Sequence, residues 1–135
     1  GILSGIVLAS LNTARAKGNL AKVQAQISGI RVAAENYYSG TNNYGATAVQ
    51  SCTGNMFTDT ASGMATYIND SNYPSGTTII CDSTATAYAV RAAYTVNGTL
   101  NYVCVDSMGT SISTTTPTGG MLITDQNCDA NSTTP

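Results

Sequence analysis

The chain has 135 residues, enough for one domain with its own core, and only 9% are charged, against about 25% in ordinary soluble domains. Its net charge of −2 leaves no basic footprint for nucleic acid, and the lack of any His excludes Ser-His-Asp, Cys-His and Cys/His zinc chemistry. Hydroxyls and amides must solubilise the surface, which suits an extracellular protein that packs against copies of itself.

Residues 1 to about 38 are predicted to form one long helix. Its first eleven residues, Gly1-Ile-Leu-Ser-Gly-Ile-Val-Leu-Ala-Ser-Leu11, are uncharged and apolar around most of the circumference. This run is too short to span a bilayer, which takes about 20 residues. It has no basic leader or obvious cleavage site and is not a whole signal peptide. It reads as the second half of a longer apolar helix. Leu20, Val23, Ile27, Ile30, Ala34 and Tyr37 then alternate at spacings of three and four, forming one stripe. Gly18 and Gly29 each weaken the helix by about 1 kcal/mol relative to Ala, so packing must hold it. Ser39-Gly40-Thr41-Asn42-Asn43 is the stop, with Gly40 suited to the left-handed C-terminal position. Arg15, Lys17, Lys22 and Arg31 all lie on this helix, whereas every Asp falls at or beyond residue 59. The basic segment is either a solvated face or a surface that meets carboxylates of neighbouring subunits.

Residues 41–75 read as a loop region with one short helix, capped by Asp59 or Thr60 and turning Met64, Tyr67 and Ile68 inward. Strands are predicted at Thr77–Cys81, Ala87–Val96 and Leu100–Val105. The last two are joined by Asn97-Gly98, the sequence of a type I′ hairpin turn. A two-residue loop sets Tyr94 opposite Asn101 and Ala92 opposite Val103. Arg91, Leu100, Tyr102 and Cys104 share the other face, so pattern alone does not choose the core face. The span 107–120 reads as an exposed loop and Met121–Thr124 as an edge strand. A long N-terminal helix covering one face of an antiparallel sheet, with the other face wet, satisfies these elements. The expected fold is therefore α+β. It divides into an apolar stalk half of the helix, 1–19, from which the first eleven residues protrude, and a globular head, 20–135.

The four Cys, at 52, 81, 104 and 128, contain no CxxC, and their even number points to two disulfides in an oxidising compartment. Their spacing leaves all three connectivities open.

The opening run through Arg15 resembles the stretch that follows the N-terminal methylated segment of type IV pilins and type II secretion pseudopilins. Asn36-Tyr-Tyr-Ser-Gly-Thr-Asn-Asn-Tyr-Gly45 resembles the end of the pilin helix. Tyr102-Val-Cys-Val-Asp-Ser-Met-Gly109 resembles a strand motif of small bacterial pilins. The family's apolar start and its assembly Glu have no counterpart here, since Glu35 lies in the head, and Ala9 stands where the family often has Pro. Gly1 and Gly5 are then the weak points of the stalk helix.

The resemblance implies the pilin fold and a structural role: a homopolymer in a helical, cell-surface filament serving adhesion, motility or DNA uptake. Ile2, Leu3, Ile6, Val7, Leu8 and Leu11 would be buried between subunits, and the precursor would sit in the inner membrane. A pseudopilin of a secretion piston and a monomeric secreted binding domain are the alternatives. The resemblance also implies pairing of the cysteines in order, Cys52–Cys81 and Cys104–Cys128, the second tying the Ser/Thr-rich tail to the hairpin. Some pseudopilins bind calcium near their C-terminus, which makes Asp106, Asp125 and Asp129 weak candidates against the simpler reading of solvated loop carboxylates. No P-loop, GxGxxG or HExxH occurs, and neither an enzyme nor a cofactor is expected. Asn69-Asp-Ser71, Asn97-Gly-Thr99 and Asn131-Ser-Thr133 match the N-glycosylation triplet, and Ser113–Thr118 is a candidate stretch for O-linked sugar.

Overall fold

The computed structural model describes residues 2–115 and 126–128, with side chains from Gly5 onward. Helix α1 spans Ile2–Thr41. It ends at Asn42 rather than Gly40. Asn42 takes the left-handed conformation at φ 59°, and its N–H bonds to the Tyr38 carbonyl at 2.7 Å. Asn tolerates this conformation nearly as well as Gly, and the side chains of Thr41 and Asn43 bond locally around it. Gly40 stays inside the helix.

Four antiparallel strands form one sheet in the order β1 (Thr78–Ser83), β2 (Tyr88–Val96), β3 (Thr99–Asp106) and β4 (Ser111–Thr114). Asn97 at φ 50° and Gly98 at φ 78° make the β2–β3 turn, where a two-residue hairpin needs both residues at positive φ. Tyr94 pairs with Asn101 and Ala92 with Val103. The stretch expected to be a loop holds β4 instead. Gly109, at φ 92°, reverses the chain so that Ser111–Thr114 runs back along β3. With Ile112 as its single large apolar residue, β4 shows almost none of the hydrophobic alternation that marks a strand. Met121–Thr124 lies outside the described residues.

Burial decides the core face. Tyr88, Val90, Ala92, Tyr94, Val103 and Val105 meet Val23, Ile27, Ile30 and Ala34 of α1, with Leu20 and Tyr37 half-buried at the ends of the stripe. Residues 41–75 contribute three short helical pieces rather than one: a 3-10 turn at Asn55–Thr58, α2 (Met64–Ile68) and a 3-10 turn at Asp70–Asn72. Neither Asp59 nor Thr60 caps α2. Gly63 precedes it at φ 85° without a side-chain bond, and the Asp59 carboxylate accepts the Ser62 N–H at 2.7 Å instead. Met56, Phe57, Met64, Ile68 and Tyr73 complete the core. Tyr67, half-buried, lays its ring on Gly29, where any Cβ would collide with it.

The far face of the sheet is not simply wet. Residues 126–128 lie against it, fastened by the Cys104–Cys128 disulfide. The Asp106 carboxylate accepts the Cys128 N–H at 2.8 Å, and Gln126 donates to Asp82 at 2.9 Å. Asp82, Ala89, Cys104 and Asp106 are consequently no more than 1% exposed. On the same face, Arg91 stacks over the Tyr102 ring, 5.2 Å from its centroid, and Ile80 and Leu100 are exposed. The second disulfide, Cys52–Cys81, ties the loop region to β1, and the Val49–Ser83 bridge lies beside it.

Candidate assembly surface

Apolar side chains on an isolated helix stay exposed unless another surface covers them. Ile6, Val7, Leu8 and Leu11 are 62%, 54%, 62% and 57% exposed. At 3.6 residues per turn these four positions spread over more than half of the circumference. A single flat partner would leave part of them wet, whereas several neighbours around the helix would cover them all. The side chains of Ile2 and Leu3 lie outside the described residues.

The first described contacts between α1 and the sheet come at the hairpin tip, where Asn97 donates to the Thr13 hydroxyl at 3.3 Å. Asn19 donates to the Tyr94 hydroxyl at 3.1 Å, one and a half turns further on. From Val23 to Ala34 the stripe is buried. Every residue from Gly5 to Asn12 is exposed, so this apolar segment forms no part of the core of its own chain. Among the described residues, no helix is long and apolar enough to cross a membrane.

Three exposed apolar residues were not singled out from sequence. Besides Ile80 on β1, Val32 on α1 is 66% exposed, and Met108, 82% exposed, sits on the β3–β4 turn. Val32 lines a shallow groove together with Arg31, Glu35, Tyr88 and Asp106. Tyr44 donates to Glu35 at 2.8 Å, and burial first, then the adjacent Glu35, pushes the Tyr44 phenol up to about 12. Tyr38, Tyr44 and Tyr88 pack in series, the first pair tilted and the second edge to face, with centroids 4.8 and 4.9 Å apart.

Of the calcium candidates, only Asp106 is described. Its carboxylate oxygens accept the backbone N–H groups of Met108, Thr110 and Cys128 at 2.8–2.9 Å, which is a structural fastening of turn and tail. Asp125 and Asp129 lie outside the described residues. No cluster of three or more metal-ligating side chains occurs among the described residues. Asn69 uses its side-chain oxygen to accept from Ser71, and Asn97 is engaged with Thr13. Ser113, on β4, accepts from Gln24 at 3.0 Å. Asn131 and Thr116–Thr118 lie outside the described residues.

No family model, curated protein or solved structure matches the chain.

Proposed function

We propose that this chain is a structural subunit of an extracellular filament of the type IV pilin kind, polymerising through the N-terminal part of α1. The observation that carries the reading is the exposed apolar run Ile6–Leu11 on a helix whose continuation is the spine of the head. Burying one such side chain is worth about 1.5–3 kcal/mol, so the four together supply about 6–12 kcal/mol per subunit against the ordering costs of association. A sparsely charged, hydroxyl-rich surface and two disulfides fit a polymer outside the cell.

In this reading the α1 segments of neighbouring subunits cover one another and form the filament core. The precursor is held in the inner membrane before assembly. Electron microscopy of filaments sheared from the source cells tests the reading directly. The Val7→Asp chain should fold with both disulfides and appear in no filament, because a charge cannot be buried unpaired among neighbouring stalks. Filaments of ordinary length and number from Val7→Asp would overturn the proposal.

A further inference from the structure

The charges on α1 are sorted along its length. Arg15 and Lys22, seven residues apart, share one flank of the helix. One turn beyond Lys22, Gln26 donates to the Asn72 carbonyl at 2.5 Å. This bond, with the Tyr67 ring on Gly29, fixes the turn Asp70–Asn72 to the same flank, above the cations.

Four of the carboxylates on described residues work inside the chain: Glu35 with Tyr44, Asp59 with Ser62, Asp82 with Gln126, and Asp106 with three backbone amides. Asp70 is exposed, and among the described residues its carboxylate has no hydrogen bond or ion pair. Arg15, Lys17 and Lys22 are exposed and equally unpaired.

We infer that this flank of α1 is a contact surface for a second copy of the chain, in which Lys22 of one subunit faces Asp70 of the next. The inference rests on the filament reading. Screw-related copies lie parallel and shifted along the axis. Copies related by a near two-fold screw turn this flank toward each other, and with base low and acid high the axial shift sets unlike charges level, whereas unshifted copies set like beside like. The levels of Gln26, Lys22 and Arg15 imply a shift of about 6–16 Å at 1.5 Å per residue. An exposed pair contributes little affinity, so its effect is on the choice of register. The apolar stalk supplies the association.

Zero-length carbodiimide coupling, which joins a carboxylate to an amine only in contact, tests this on filaments of the full chain sheared from the source cells. A dimer-sized product carrying a Lys22–Asp70 isopeptide bond is expected. Lys22→Gln and Asp70→Asn should each abolish that product and weaken assembly about two- to five-fold. The exchange of Lys22→Asp with Asp70→Lys should restore both. Coupling confined to monomer-sized chains, or dimers joined at other residues in filaments visible by microscopy, would overturn the contact and leave the filament reading standing. If the unaltered chain forms no filaments under the microscope, the filament reading fails and this contact fails with it.

Discussion

Two glycines in one helix have opposite meanings. A Cβ on Gly18 meets nothing within 4 Å, whereas one on Gly29 runs into the Tyr67 ring. Gly18→Ala is expected to stabilise the monomer by up to about 1 kcal/mol through helix propensity. Gly29→Ala should lose that gain and destabilise by about 1 kcal/mol, because the Tyr67 ring must swing aside and give up its packing on α1. Urea titrations of the two variants check the sign of each.

The phenols of Tyr44, Tyr73 and Tyr88 are all raised, chiefly by burial. The folded state therefore keeps protons that the unfolded state releases near pH 10. Their contribution is complete below about pH 10 and is lost as pH rises through the folded values, so stability should fall steeply on the alkaline side. A spectrophotometric titration in which all eight tyrosines ionise together near pH 10 in the folded protein would contradict this.

At the scale of elements, strong local chemistry was legible and weak chemistry was not. The 20–37 stripe and the Asn97-Gly98 turn announce α1 and the β2–β3 hairpin, because periodicity and positive-φ residues are local signals. β4 was illegible because Ser and Thr carry no periodic signal, and its place depends on Asp106 gathering the amides of the turn. The far-face cover was illegible for a related reason. Asp82 and Asp106 look like loop carboxylates until Gln126 and Cys128 reach them across 44 and 22 residues of chain. Asp106→Ala strands buried amides and should cost about 2–3 kcal/mol, loosening both the β3–β4 turn and the tail. Thermal melts give the cost, and faster proteolysis near residue 128 reports the released tail. Breaking the Cys104–Cys128 bond with a Cys104→Ser, Cys128→Ser pair should cost about 3–4 kcal/mol in the chain-entropy model. Of the candidate assembly residues, Ile6, Val7, Leu8 and Leu11 were legible as an apolar run protruding from the head, because a small head cannot wrap a helix that is apolar all round. What was not legible was where the cover begins, which the hairpin tip sets by its bond to Thr13.

At the scale of the whole molecule, the described contacts separate folding from the N-terminal segment. The first bond from sheet to helix falls at Thr13, so removing residues 1–11 deletes none of the described bonds that hold the head. The truncated chain should melt within about 1 kcal/mol of the intact one and sediment as a monomer. A truncated chain that cannot fold would make those residues part of the core after all.

The two disulfides also set how far the chain can be drawn out by force. They close spans of 29 and 24 residues. A pull between the chain ends passes through the sulfur bridges and skips the enclosed backbone. At roughly 3.4 Å per residue, about 180 Å of contour stays hidden until the bonds are reduced. In single-molecule stretching, the unfolding extension should lengthen by about that amount when a reductant is present. A subunit wired in this way that loses its packing under tension gives out less chain, by the length of the two closed loops.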